Sequence, residues 1–246
     1  MGNSKENDMN TLYYIFLVLA SLCAAVFTLR RGFRTDIISL LLKTAASLLF
    51  IVLASIGCYI GLTSVDGYDS ASVFIITGLV FGLCGDVMLD LKYVHKRYED
   101  IYTFAGFGSF IFGHIFYIIF MMKHGGFMTV GFIISLVIGI AAGVLIFMTE
   151  EIMRVTYGRF KIISSCYAAL LIFVTAYSAF MLKACSGNKG SVMMFIGLVL
   201  FLISDLILSQ IYFAEDKNIP LYKIANHAFY YAGQILIAAS LMFNAI

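Results

Sequence analysis

Long apolar runs separated by short polar connections dominate this chain. A helix needs about 20 mostly apolar residues to cross a bilayer. Eight runs meet this requirement, and no connection is long enough to hold a soluble domain. Residues 1–10 are predicted to form a polar N-terminal tail, and residues 11–246 a single transmembrane domain. The predicted spans are residues 11–29, 37–60, 73–91, 104–122, 127–148, 161–182, 192–213 and 221–243.

Composition supports the same class. Of the 246 residues, 62% are hydrophobic and 12% are charged, whereas soluble domains average about 45–50% apolar and about 25% charged residues. The single proline and the glycines within apolar runs favour helices over a barrel. A net charge of +2 is too small for a nucleic-acid partner. We therefore expect an all-α integral membrane protein in contact with lipid. The five cysteines form no C-x-x-C pair and are interpreted as packing residues.

Lysine and arginine predict the orientation. The connections after the first, third, fifth and seventh spans, with the helix starts beside them, hold about three times as many of these residues as the other side. The positive-inside rule then predicts these connections to be cytoplasmic and both termini to be outside or lumenal. The pattern suits a bacterial inner membrane or a eukaryotic endomembrane equally, and it indicates no oligomeric state.

Two stretches of the chain resemble each other. Residues 78–89 align without a gap on residues 197–208, so that Asp86 matches Asp205. In the span after each, His-x-Phe-Tyr begins at His114 and at His227. Because the offset is four spans, the two halves would run in the same direction, related by an axis along the membrane normal. We predict two parallel four-helix pseudo-repeats, residues 11–122 and 127–246.

Intramembrane polar residues are costly, at about 2.5–3.5 kcal/mol for a charge at the centre of a helix, and tend to be functional. With a rise of about 1.5 Å per residue, five such residues lie within about 15 Å of the same predicted membrane face. They should face inward and line one cavity that opens to the cytoplasm. The five are Lys43, Asp86, His114, Asp205 and His227.

Helical spacing adds further candidates for the cavity. Tyr117 lies three residues after His114, and the last span has a polar stripe on one face. That stripe consists of His227, Tyr230, Tyr231 and Gln234. A purely structural role for the histidines, and extension of Lys43 to the nearby interface, remain open alternatives. Asp90 shares a face with Asp86, but its place near the helix end also allows simple solvation.

Two buried carboxylates around one cavity suggest acid–base chemistry. Burial and mutual repulsion would keep one aspartic acid protonated and its partner ionised. That division suits cleavage of an acetal-like or enol-ether C–O bond through an oxocarbenium ion. Spacing alone does not distinguish this from a proton-coupled transporter or lipid carrier, or from a non-catalytic lipid-binding scaffold. A metal site is disfavoured, since H-E-x-x-H is absent and neither intramembrane histidine has a metal-binding partner three or four residues on. No cofactor is expected.

Several motifs together resemble the YhhN-like lysoplasmalogenase family of eight-helix membrane proteins. The resemblance covers roughly residues 34 to 240. It depends on the order and spacing of the motifs rather than on any single one. They are Gly85-Asp86, the Gly106 to Ile118 segment with Gly113-His114-Ile115-Phe116-Tyr117, Ser204-Asp205-Leu206-Ile207-Leu208, and Tyr230-Tyr231-Ala232-Gly233-Gln234.

The resemblance implies hydrolysis of the sn-1 vinyl-ether bond of lysoplasmalogens, a lysophospholipid substrate. The products would be a fatty aldehyde and glycerophosphoethanolamine or glycerophosphocholine. It also implies that Asp86 and Asp205 are the catalytic pair. Lys43 matches a lysine that is usually followed by proline, but Thr44 follows it here. We expect Lys43 to pair with the lipid phosphate if it faces the cavity. The remaining expected substrate-binding residues are His114, Tyr117, His227, Tyr230, Tyr231 and Gln234.

Overall fold

The computed structural model describes residues 2–64, 70–148 and 150–243. It is all-helical, with 89% of the chain in helices. Short 3₁₀ turns lie at Ser70–Ser72, Lys96–Tyr98, Gly158–Phe160 and Leu241–Phe243. The long helices are α1 (Gly2–Phe33), α2 (Ile37–Ser64), α3 (Val73–Val94), α4 (Glu99–His124), α5 (Thr129–Met148), α6 (Lys161–Ala184), α7 (Lys189–Phe213) and α8 (Pro220–Ser240).

Each predicted span corresponds to one of these helices. The structure differs from the prediction at the start of α1 and in the hydropathy of α8. Helix α1 begins at Gly2, so the polar segment before residue 11 continues the first helix. Seven helices in the described part of the chain are long and apolar enough to cross a membrane, and α8 is the one left out. Polar residues such as Asn226, His227 and Gln234 lower its hydropathy. They are buried, because the face of α8 that carries them lies within a bundle in which α8 packs against α1, α2, α3 and α7.

Seven of the eight long helices form a closed ring of contacts. The order of contacts is α1, α2, α3, α4, α6, α7 and α8, and α8 closes the ring on α1. Helix α8 also reaches α2 and α3 across the ring. Helix α5 lies outside the ring, where its substantial helix–helix contact is with α6, and it is the most apolar of the candidate spans, with a mean hydropathy of 2.8.

Glycines allow two pairs of ring helices to pack closely. A Cβ at Gly113 of α4 would lie 2.9 Å from the carbonyl oxygen of Gly78 on α3. A Cβ at Gly197 of α7 would lie 2.9 Å from the carbonyl oxygen of Gly233 on α8. Backbone atoms cannot give way as a flexible side chain can, so both contacts require a residue without a side chain.

The predicted duplication stays a prediction. Gly78 and Gly197 are equivalent in the alignment, and each contacts a glycine of the following helix. The surroundings of the two halves nevertheless differ, because α1 packs against both α2 and α8 whereas its counterpart α5 packs mainly against α6.

The connections at one end of the bundle are ordered by polar contacts. Asp36, just before α2, accepts hydrogen bonds from the backbone N–H of Ser39 at 2.9 Å and from its hydroxyl, and pairs with Arg30 at 2.6 Å. These contacts lower the pKa of the Asp36 carboxyl to about 2. The connection from α5 to α6 folds back under α7, where the Thr156 N–H donates to the carbonyl of Phe213 at 2.8 Å. This hydrogen bond attaches the α5–α6 connection to the C-terminal end of α7.

Candidate active site

A cavity of about 130 Å³ lies inside the ring, near the end that holds the α1–α2 and α7–α8 connections. Each of the seven ring helices contributes to its wall. Thr35 and Asn218, both exposed connection residues, line its opening. Its charged lining residues are Arg31, Lys43, Asp86, Asp90, Asp205 and Lys223. Its other polar lining residues, apart from those at the opening, are Tyr93, Tyr167, Ser204, Tyr212, Asn226, His227 and Tyr230. Asp86 and Asp205, from different halves of the chain, therefore line the same cavity.

A chain of ion pairs forms one wall of this cavity. The Lys43 Nζ lies 3.2 Å from Asp86 Oδ1 and 3.2 Å from Asp90 Oδ1. The Arg31 guanidinium donates to Asp90 Oδ1 at 2.8 Å. All four residues are at most 5% exposed, so each charge depends on its neighbours for compensation. With two cations and two anions, the cluster is neutral when both carboxyls are ionised.

Asp86 is held by donors as well as by charge. The Ser47 hydroxyl donates to Asp86 Oδ2 at 2.6 Å, and the Tyr230 hydroxyl donates to the same oxygen at 2.7 Å. The Gln234 amide donates in turn to the Tyr230 oxygen at 3.1 Å. Together with the Lys43 ammonium, these contacts stabilise a carboxylate at Asp86.

Asp205 has different surroundings. It lies outside the ion-pair cluster, and the Tyr167 hydroxyl of α6 donates to its Oδ2. The apolar side chains of Phe107 and Leu208 line the cavity near it. Next to it, the Asn226 amide donates to the carbonyl of Ser204 at 2.8 Å and joins α8 to α7. Among the residues that the structure describes, none gives Asp205 a cationic partner like the Lys43 ammonium at Asp86.

Five of the nine predicted site residues line the cavity, namely Lys43, Asp86, Asp205, His227 and Tyr230. Lys43 does not extend to the surface, since its ammonium bridges two aspartates inside the bundle. His227 lies at the cavity wall with its ring against Phe27, at 4.9 Å between ring centroids.

The other four predicted residues, His114, Tyr117, Tyr231 and Gln234, are buried behind that wall rather than in it. His114 donates from Nδ1 to the carbonyl of Phe110 at 2.7 Å. The Tyr117 ring packs over Gly78, where an added Cβ would collide with the ring. Tyr231 makes an edge contact with Tyr230 at 5.1 Å between centroids. Tyr231 and Gln234 therefore both contact Tyr230, whose hydroxyl donates to Asp86.

Four further residues belong to the site but were not among the predicted ones. Ser47 donates to Asp86 and Tyr167 to Asp205, while Asp90 pairs with Lys43 and with Arg31. Asp90 lies one turn after Asp86, and its proximity to the helix end suggested solvation. The structure shows it 2% exposed and paired with both cations. Ser47 lies one turn after Lys43, which is a visible signal. Tyr167 has no acidic neighbour on its own helix, and nothing in the sequence connects it to Asp205.

Metal ligands do not cluster in the described residues, where no group of three or more His, Cys, Asp or Glu side chains is arranged to hold an ion. The polar groups that line the cavity are carboxyl, hydroxyl, amide, imidazole and cationic groups.

Comparison with known proteins identifies the family. The model of the YhhN family matches residues 38–241, which is most of the chain. The chain belongs to the YhhN family. No curated protein and no solved structure matches it. The matched region of this YhhN protein includes Asp86, Asp205 and the partners of Asp86, whereas Arg31 lies before it.

Proposed function

We propose that this YhhN protein hydrolyses the sn-1 vinyl-ether bond of lysoplasmalogens, releasing a fatty aldehyde and a glycerophospho-head group. The observation that carries the proposal is the pair Asp86 and Asp205, which line one cavity in unlike surroundings. Two carboxyl groups with different partners are what a reaction needs when it uses one acid and one base. Family membership supports the same reaction class.

The surroundings favour one assignment of roles. Asp86 contacts an ammonium and two hydroxyl donors, and its cluster is neutral when it is ionised. We assign it as the base that activates water. Asp205 has apolar neighbours and no ammonium contact, and this desolvation favours an uncharged carboxyl group even though the Tyr167 hydroxyl donates to it. We assign it as the acid.

The reaction then proceeds in three steps. Asp205 gives its proton to the β-carbon of the vinyl ether, which converts the C=C–O unit into an oxocarbenium ion. Asp86 takes a proton from water as the water oxygen bonds to the cationic carbon, and a hemiacetal forms. The hemiacetal hydroxyl returns a proton to Asp205 while Asp86 protonates the leaving glycerol oxygen, so both carboxyl groups regain their starting states and one water is consumed.

The head group would lie towards the opening of the cavity. Asn218 lines that opening, and the half-buried Lys223 in the first turn of α8 lines the cavity. A phosphate near them would be neutralised by a lysine that is not part of the ion-pair cluster. Lys43 would act chiefly through Asp86, because it is already shared between two aspartates. The basic connections lie at this end of the bundle, so we expect the opening to face the cytoplasm.

Neutral substitution of each aspartate tests the assignment. Asp86→Asn and Asp205→Asn should each lower aldehyde release at least 100-fold, since general acid or base catalysis contributes about 10²–10⁴-fold. Asp216→Asn is the matched control, because Asp216 is an exposed aspartate in the α7–α8 connection. Thermal unfolding in detergent checks that each variant folds. Full activity in both folded cavity variants would refute the proposal.

Isotope labelling tests the chemistry itself. In D₂O the released aldehyde should gain deuterium at C2, the carbon protonated by the acid, and free aldehyde incubated in parallel corrects for exchange. The saturated alkyl-ether analogue should remain intact, since it has no double bond to protonate. Cleavage of both lipids would contradict carbon protonation. Intact lipid moved across a liposome membrane by the wild-type protein would instead support a transporter.

A further inference from the structure

A second cavity of about 100 Å³ lies between α5, α6 and α7. Most of its lining is apolar, with Leu171 and Ile172 from α6 and Leu202 from α7. Ile146 closes it on the α5 side, and Met153 and Tyr157 of the α5–α6 connection cover its end. The proposed reaction chemistry makes no use of these residues.

The two cavities share a wall. Asp205 and Tyr167 line both of them, as do Phe107, Leu208 and Tyr212. One side of Asp205 therefore faces the space that holds the cationic residues, and the other faces an apolar space. A molecule spanning both would be polar at one end and apolar at the other, with its middle next to the Asp205 carboxyl group.

We infer that the second cavity is the binding site for the single hydrocarbon tail of the substrate, and that its depth sets the preferred tail length. The inference rests on the proposed function. With the head group at the opening of the first cavity and the tail in the second, the vinyl-ether bond joining them lies at the shared wall, where Asp205 would protonate it.

The second cavity is accessible from the bilayer side of the bundle. Leu206, which lines it, is 53% exposed on the outer face of α7. Beyond it, α5 packs on α6 without closing the ring. A tail can therefore enter sideways from lipid without first crossing water, which would be costly at about 0.8 kcal/mol per CH₂ group.

Ala168 is the position best suited to change the depth of the second cavity. It lies on α6 one residue after Tyr167, lines the second cavity and is absent from the first. A phenylalanine there would fill tail space while leaving both aspartates and their partners in place. Ala141→Phe is the matched control, because Ala141 is exposed on α5 and lines neither cavity.

Photo-crosslinking tests tail binding without any turnover. The probe is a saturated 1-O-alkyl lysophosphoethanolamine with a diazirine at the end of its tail, mixed with the purified full-length protein in nanodiscs. We expect a crosslink at Leu171, which is 1% exposed and out of reach of bulk lipid. Ala168→Phe should reduce it at least tenfold, and Ala141→Phe should leave it unchanged. Crosslinks confined to exposed faces, or a Leu171 crosslink that survives in folded Ala168→Phe, would overturn the inference.

Tail-length selectivity provides a second measurement. In Ala168→Phe the ratio of kcat/KM for a 16-carbon tail to that for a 10-carbon tail should fall at least tenfold, while Ala141→Phe keeps the wild-type ratio. An unchanged ratio would overturn the inference. The crosslink also separates the two proposals, since a Leu171 crosslink in a protein that cleaves no vinyl ether would retain the tail site and refute only the proposed reaction.

Discussion

Replacing Lys43 with methionine should destabilise the protein strongly, because one ammonium compensates two buried carboxylates. The substitution leaves Arg31 as the only cation of the cluster, opposite Asp86 and Asp90. Methionine approximates the length of the lysine stem, so lost packing contributes little to the expected effect.

The geometry gives the magnitude. At 3.2 Å and an effective dielectric constant of about 20, each contact of Lys43 has a Coulomb energy of about 5 kcal/mol before desolvation is counted. Removing one partner from a buried ion pair typically costs about 3–5 kcal/mol. We therefore expect Lys43→Met to lower the free energy of unfolding by about 3–5 kcal/mol. Asp90→Asn added to Lys43→Met restores a cluster with one charge of each sign.

Reversible unfolding by SDS titration in mixed micelles measures both effects. The double variant should lose at least about 1 kcal/mol less stability than the two single variants together, since contacting residues couple by about 0.5–3 kcal/mol. Asp216→Asn serves as an exposed control in the same assay, with little expected change. Additive losses for Lys43→Met and Asp90→Asn would refute the shared ion pair.

Three further predictions concern the packing of α3 against α4, the hydrogen bond to Asp205, and the pH dependence of stability. Gly113→Ala should destabilise the bundle by about 1–3 kcal/mol, because the new Cβ would lie 2.9 Å from a backbone carbonyl oxygen. Gly108→Ala on the same helix should not destabilise it, because a Cβ there meets open space. Thermal unfolding of the two variants compares these effects. Tyr167→Phe removes the donor to Asp205 and should change the pH dependence of kcat while the protein stays folded; an unchanged profile would contradict the contact. The pKa of Asp36, lowered to about 2 when folded, contributes stability above its unfolded value near 3.9. That contribution is lost as pH falls from about 4 to about 2, and thermal unfolding of Asp36→Asn should lack this pH dependence.

The sequence predicted the elements well because each run is long enough to cross a bilayer. It also predicted that α8 turns its polar stripe inward, since such residues avoid lipid. From the same cost we predicted that Asp86 and Asp205 face inward, and both line the cavity of the bundle. These inferences use hydrophobicity and helical period, which are local properties.

The partners of the aspartates depend on which helices become neighbours, and no local pattern contains that information. Tyr167 reaches Asp205 because α6 packs next to α7. Depth along a helix was also a poor guide to burial. Asp90 lies near the end of α3, yet Arg31 of α1 folds over it and excludes water.

The order of the ion-pair cluster along the chain has a consequence for biogenesis. Both cations lie on α1 and α2, and both acids lie on α3. The acidic partners of these cations are therefore translated only with α3, so the cluster is complete only after the chain has been synthesised through Asp90. Asp205 of α7 is translated later than its partner Tyr167 of α6, so this hydrogen bond depends on a residue that precedes it in synthesis.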